Sequence, residues 1–192
     1  MQMRGRDTMK VMIDLSKLPV RDKKGDVYVV VETPRGSAAK LEFDPDLKLF
    51  TLSKALILGL TYPYDWGFIP STKGEDGDPI DALILHDTAT TPGLVLRCKI
   101  IGVLEVVQTE GGKHAIRNDR LIAVPRDSHR EQADHDARDL PKQVRMEIEK
   151  FFVATDELES KELKFLGWKG PKTGQRLIDK AAKHFKKSNG KD

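Results

Sequence analysis

Val27-Tyr28-Val29-Val30-Val31-Glu32 is the stretch that decides the fold class. Side chains branched at Cβ crowd a helix backbone and pack well on a pleated surface, and Pro34 and Gly36 close the run, so a strand followed by a turn is predicted. Working outward, Lys40-Leu41-Glu42-Phe43 alternates polar and apolar residues, which makes it a second strand with Lys40 and Glu42 on one face. The turn Asp44-Pro45-Asp46 then leads to a hairpin partner over residues 47–52. Further strands are predicted over residues 82–85, 95–104 and 121–124, separated by connections rich in Gly, Pro and Asp, notably 73–79 and 88–93. Helical periodicity arrives only late. Residues 141–154 place Val144, Ile148, Phe151 and Phe152 on one stripe, with Asp139 as the N-cap ahead of Pro141. A second helix is predicted over residues 173–185, with Leu177, Ile178, Ala181 and Phe185 apolar. Strands first and helices last is the order of an α+β fold, and several short strands with intervening turns suggest a small barrel.

The 192 residues suit one domain with a real core, preceded by an N-terminal extension over 1–17 and ended by a flexible tail over 187–192. With 33% charged and 39% hydrophobic residues the chain has the profile of a soluble globular protein. No run approaches the roughly 18 apolar residues of a membrane span, and the polar start Met1-Gln2-Met3-Arg4-Gly5-Arg6 does not resemble a secretory signal. Cys98 is the single cysteine, so no internal disulfide can form; it lies in an apolar strand and reads as a small buried hydrophobe. A reducing, cytoplasmic setting is expected. The net charge of +3 is too small to imply nucleic acid, and neither a nucleic-acid nor a membrane partner is expected. The lysines at 180, 183, 186, 187 and 191 read as a solvated helix face and tail.

The strongest local feature is Glu75-Asp76-Gly77-Asp78-Pro79-Ile80-Asp81. Four acids around a Gly and a Pro cannot pack as a core element. Two carboxylates about 4 Å apart repel by roughly 4 kcal/mol at an effective dielectric near 20, so a fold that gathers them supplies a cation or leaves them in water. Oxygen-only donors on a tight loop suit Mg²⁺, which takes one or two carboxylates and completes its shell with water and phosphate oxygens. An acidic surface turn is the competing reading. An EF-hand fits less well, because Pro79 stands where that motif needs a ligand. The apolar residues 82–85 would fix the loop to a buried strand, as a metal site requires. Upstream, Tyr62-Pro63-Tyr64-Asp65-Trp66-Gly67-Phe68-Ile69-Pro70 is an aromatic segment of low helix propensity, in which a Tyr hydroxyl could donate to an oxyanion.

At these residues the chain resembles the soluble (family I) inorganic pyrophosphatases, whose signature is an Asp-Gly-Asp-Pro-hydrophobic-Asp loop, here residues 76–81. The ordered flanks agree: Val29-Val30-Val31-Glu32 and Lys40-X-Glu42 before the loop, Tyr62-Pro63 and Trp66-Gly67-Phe68-Ile69 just ahead of it, then Pro92-Gly93, Arg97-Cys98, Leu121 to Pro125, Asp139-Leu140-Pro141, Phe151-Phe152 and Gly167-Trp168 after it. The resemblance covers residues 18–185. It implies a five-stranded OB-like β-barrel with helices packed outside, and hydrolysis of pyrophosphate to two phosphates. By matching position, Asp76 and Asp81 would ligate Mg²⁺, with Mn²⁺ as an alternative. Asp78 would be the catalytic base acting on water, Lys40, Lys54, Tyr62 and Arg120 would bind substrate, and Glu32 and Glu42 would support them. A homo-oligomer, commonly a hexamer among bacterial members, is implied as well.

Several positions depart from the family pattern. Lys54 stands for an arginine and Trp66 for a tyrosine, Gln108 for an aspartate, and Thr155-Asp156 for a Tyr-Lys pair. Where the family has a metal-binding Asp two residues before a Lys, the chain reads Asn118-Asp119-Arg120. Aligned without a gap, Asn118 takes the ligand position. A one-residue slip would present Asp119, which is retained as a third metal-ligand candidate although strand alternation argues against the slip. Lys161, Lys164 and Arg126 are candidates for a relocated phosphate-binding cation. Hydrolysis of another phosphoanhydride or phosphate ester, or binding without turnover, are the alternatives these departures leave. His86 reads as a turn residue, and His129 and His135 as part of a solvated or intersubunit stretch.

Overall fold

The computed structural model describes residues 13–112, 115–157 and 161–189. Among these residues nine strands and two α-helices follow a short 3₁₀ turn at Leu15–Lys17. They are β1 Val27–Thr33, β2 Ala39–Asp44, β3 Leu49–Ala55, β4 Asp65–Ile69, β5 Ile80–Ile84, β6 Val95–Glu110, β7 Ala115–Arg117, β8 Arg120–Pro125, α1 Lys142–Asp156, β9 Lys161–Lys169 and α2 Pro171–Asn189. Five strands close a ring in the order β1, β4, β5, β8, β6 and back to β1; β5 and β8 run parallel, and the other ring pairs are antiparallel. This is the α+β arrangement that the strand-first order implied, with the OB-like ring of five strands that the family resemblance implied. The far half of β6 extends beyond the ring and is flanked by β7 and β9, while β2 and β3 form a separate hairpin.

Strands β5 and β8 are near-continuous apolar runs because both their faces are covered. Ala82, Ile84, Leu121 and Ala123 enter one core with Ile178 and Ala181 of α2. Leu83, Ile122 and Val124 enter a second core with Ile148, Phe151 and Phe152 of α1. Burying one such Ile or Phe side chain stabilises the fold by roughly 1.5–3 kcal/mol. Cys98 is 1% exposed among these residues, and burial pushes its thiol well above the ordinary range. Where β1 crosses β4 the backbones meet at Gly67. A Cβ there would stand 1.9 Å from the Val30 carbonyl oxygen, so only glycine fits.

Several expectations are corrected in detail. The residue capping α1 is Pro141 rather than Asp139, and Asp139 instead donates its backbone N–H to the Asp136 carbonyl. Helix α2 begins at Pro171 and runs to Asn189, so residues 187–189 of the predicted flexible tail are helical; residues 190–192 lie outside the described residues. Of the predicted extension, residues 1–12 also lie outside them, and Leu15–Lys17 form the 3₁₀ turn, with Asp14 accepting from the Ser16 N–H at its N-cap. Strands β4, β7 and β9 were not predicted. Among the described residues no helix is long and apolar enough to cross a membrane.

Candidate active site

The acidic loop bridges β4 and β5, and its shape is set locally. The Thr72 hydroxyl donates to the Ile69 carbonyl (2.6 Å) and accepts from the Ile80 N–H (3.0 Å), pinching the loop base. Gly74 N–H donates to the Asp78 carbonyl at 2.7 Å, and Asp78 N–H donates to Asp76 Oδ1 at 3.1 Å. Gly77 closes the bend with φ 99°, a conformation that suits glycine. From behind, Lys73 N–H donates to the Ala181 carbonyl (3.1 Å) and Lys180 pairs with Glu75 (3.0 Å), so α2 anchors the loop.

This loop and the β2–β3 hairpin face one cavity of about 540 Å³. Asp76, Asp78 and Asp81 line it together with Glu32, Lys40, Glu42, Lys54, Tyr62 and Arg120, so nine of the ten sequence-predicted residues share one space. Asp119 is the exception. Its carboxylate accepts from Val106 N–H at 2.9 Å and from Arg117 Nε and Nη2 at 3.1 and 2.8 Å. Asn118, in the two-residue connection between β7 and β8, lines the cavity in its place together with Arg120 two residues on. Of the three candidate relocated cations, Lys161 lines the cavity, whereas Arg126 is held by Asp26 and Glu131, and Lys164 lies outside the lining. Glu110 also lines it and was not foreseen; it follows Gln108 by two residues and therefore shares its face of β6.

Seven carboxylates line the cavity against four cationic side chains, Lys40, Lys54, Arg120 and Lys161. Burial raises Glu32 to about 8 against the pull of the Phe43 N–H on its carboxylate, with the charge of Asp81 adding to the rise. Burial likewise raises Asp81 to about 6, although Arg120 and Lys40 oppose it. Asp76 is raised by burial and by the charge of Asp78. Burial works against the Lys40 ammonium, but Asp81, Glu42 and Glu32 outweigh it and hold the pKa above its ordinary value. Lys40 is hydrogen-bonded to Glu42. Lys54 donates to the Thr155 carbonyl at 2.7 Å and meets Asp156 at 3.3 Å, so a pair more than a hundred residues apart ties the hairpin to the end of α1. Burial and the surrounding acids push the Tyr62 phenol up, which keeps it a hydroxyl donor.

The remaining wall is aromatic. Tyr62 packs edge-on against Phe151 with centroids 4.9 Å apart, and Trp66 against Phe152 at 5.4 Å. Behind this wall Asp65, fully buried, accepts from Arg35 N–H (2.6 Å) and the Thr90 hydroxyl (2.7 Å) and meets His86 Nε2 at 2.8 Å. His86 is therefore buried and braces β4.

Among the described residues no group of three or more His, Cys, Asp or Glu side chains is gathered closely enough to hold a metal ion alone. Mg²⁺ does not need one, since water and substrate oxygens complete its shell. The donor set fits such a hard cation: it is all oxygen, it carries an excess of carboxylates, and burial disfavours their charge unless a cation arrives.

Comparison with known proteins agrees with this geometry. A family model described as inorganic pyrophosphatase matches residues 29–186. An inorganic pyrophosphatase of Synechocystis is 37% identical over 174 residues, covering 91% of this chain and 100% of that protein. The crystal structure of the inorganic pyrophosphatase from Thermus thermophilus superposes with a TM-score of 0.82 at 35% identity, covering 91% of this chain and 99% of that one. The structure of the Helicobacter pylori inorganic pyrophosphatase superposes with a TM-score of 0.78 at 31% identity, over 88% and 99% of the two chains.

Proposed function

Because the chain belongs to the soluble inorganic pyrophosphatase family, we propose that it hydrolyses pyrophosphate to two phosphates with Mg²⁺ held by Asp76 and Asp81 and with Asp78 as the base. Mn²⁺ is the alternative ion. The observation that carries this reading is the shared lining: the acidic loop and the lysine-bearing hairpin border one cavity whose acids outnumber its cations. A substrate carrying several negative charges would be repelled by such a cavity unless divalent ions accompanied it.

When bound, Mg²⁺ supplies charge neutralisation of the phosphate oxygens and acidifies a water. The chain's own residues do the rest. Asp78 lies exposed at the loop tip, with its backbone fixed by Asp76, and its carboxylate is free to take the proton of the attacking water. As the water oxygen bonds to phosphorus, the bridging P–O bond breaks and its electron pair leaves with the second phosphate. Lys40, Lys54 and Lys161 contribute positive charge and Tyr62 a hydroxyl hydrogen bond to the phosphate oxygens. Glu42 orients Lys40 by its hydrogen bond, and Glu32 stays protonated near neutral pH, which spares the cavity one charge. Asp119 has no part in this reading, since its carboxylate is engaged by Arg117 and Val106.

A cytoplasmic setting belongs to the same reading, and a single cysteine with no partner for a disulfide supports it. Assembly as a homo-oligomer, a hexamer by resemblance, belongs to the same reading. The test is release of phosphate from pyrophosphate with Mg²⁺. Asp78→Asn is expected to lower turnover by about 10²–10⁴-fold, the usual contribution of a general base. No release by the wild-type chain at any Mg²⁺ or Mn²⁺ concentration would end the proposal.

A further inference from the structure

We propose that Arg120 is a resident counter-cation of Asp81, competing with the divalent ion for this carboxylate and so setting how tightly the site holds metal. The inference rests on the metal-dependent reading above and gives Arg120 a role other than gripping substrate.

Arg120 opens β8, and its side chain is nearly enclosed, 5% exposed. Among the described residues its directed contacts run through one guanidinium nitrogen, Nη1. It lies 3.1 Å from Asp81 Oδ2, donates to the Asn118 carbonyl at 2.7 Å, and is hydrogen-bonded to Asn118 Oδ1. The guanidinium carbon stands 5.5 Å from the Trp66 ring centroid and 5.6 Å from that of Phe152. The rings fix the plane and Asn118 fixes the direction. Nε, by contrast, is buried with no hydrogen-bond partner. Leaving a buried N–H unsatisfied is costly, so the side chain is held where it is by its other contacts, those to Asn118, Trp66 and Phe152, which leave Nη1 beside Asp81.

The consequence is electrostatic. Among the described residues Asp81 is the one carboxylate within ion-pair distance of Arg120, while Asn118 orients the guanidinium without neutralising it. A guanidinium does not lose its proton, so its charge stays beside Asp81 throughout. It engages one carboxylate oxygen and repels any divalent ion approaching the other, from a guanidinium that is itself nearly enclosed beside a half-buried Asp81. Arg120 is thus a positioning residue: it orients Asp81 and weakens its hold on metal.

Mg²⁺ binding to the full chain without substrate, followed by titration calorimetry, tests this. Arg120→Met keeps the stem under the rings and removes the charge; it is expected to bind Mg²⁺ at least fivefold more tightly than wild type. Any smaller change, or weaker binding, overturns the proposal. Should that variant fail to fold by circular dichroism, Arg120→Gln is held to the same threshold. Arg120→Lys retains the charge and is expected to stay within threefold of wild type; tightening equal to the neutral variant overturns the charge argument. A wild-type chain that binds Mg²⁺ and releases phosphate from pyrophosphate beside an indifferent neutral variant sinks the role of Arg120 alone. A wild-type chain that does neither sinks the metal-dependent reading beneath it.

Discussion

Replacing Glu32 by glutamine is expected to flatten the pH dependence of stability in the metal-free protein. Glu32 is 8% exposed, accepts the Phe43 N–H at 2.8 Å, and lies near Asp81, so the folded chain keeps it protonated up to about 8. In the unfolded chain the carboxyl ionises near its ordinary value of 4.5. The folded state therefore binds the extra proton between these two values, and stability falls as pH rises across that window. Below about 4.5 the contribution is fully present, and above about 8 it is lost. The gap corresponds to an upper limit of roughly 5 kcal/mol at 1.36 kcal/mol per pH unit, and relaxation or entering water reduces it to a few kcal/mol. Asp81, raised to about 6, adds a loss of the same sign at lower pH. Glutamine keeps an oxygen for the Phe43 N–H and has no proton to lose. The assay is urea unfolding in EDTA at pH 5.5, 7.0 and 8.5 at fixed protein concentration, comparing wild type with Glu32→Gln. Wild type should lose stability across the series and the variant lose markedly less. Parallel losses in the two proteins would refute the claim that burial holds a proton on Glu32.

Two further substitutions test the scaffold and the metal assignment. Gly67→Ala would force β1 off β4, because the added Cβ stands 1.9 Å from the Val30 carbonyl; a loss of ~3 kcal/mol or more in chemical denaturation is expected, and a wild-type midpoint would contradict the close approach. Asp119→Ala removes the acceptor of the Val106 N–H and the partner of Arg117, at a cost of about 1–3 kcal/mol. Its Mg²⁺ affinity by calorimetry should stay within about twofold of wild type, and a tenfold weakening would return Asp119 to the metal site.

Much of the fold was legible because burial follows short-range pattern. The valine run of β1 and the apolar stripe of α1 each report their own surroundings, whereas the alternation around Lys40 marked a strand whose residues are all half-buried. Strand β4 was hidden for the opposite reason: all of Asp65–Ile69 is buried, so it shows neither alternation nor a typical β composition, and its glycine answers to a backbone on another strand. In β9 exposure alternates, but lysines and a glutamate among its residues leave the segment without an apolar run to mark it as a strand. The acidic loop announced itself through charge crowding alone. At Asn118 and Asp119 the two-residue spacing from Asn118 to Arg120 already favoured Asn118, and the register of β6 against β7 and β8 fixes where the segment sits. The contact of Lys54 with Asp156 is longer-range still, and nothing in either segment points to the other.

Strand β6 has a bearing on how the chain must be made. It lies against β1, β7, β8 and β9, so three of its four neighbours are synthesised after it. On a ribosome, β1, β4 and β5 emerge as a partial sheet with an open, strongly apolar edge, and that edge is not covered until residues 120–125 follow. A nascent chain paused between these points would present sticky strands to its neighbours. A stall after β5 has cleared the ribosome but before β8 has should therefore lower soluble yield more than an equal stall once β8 has emerged.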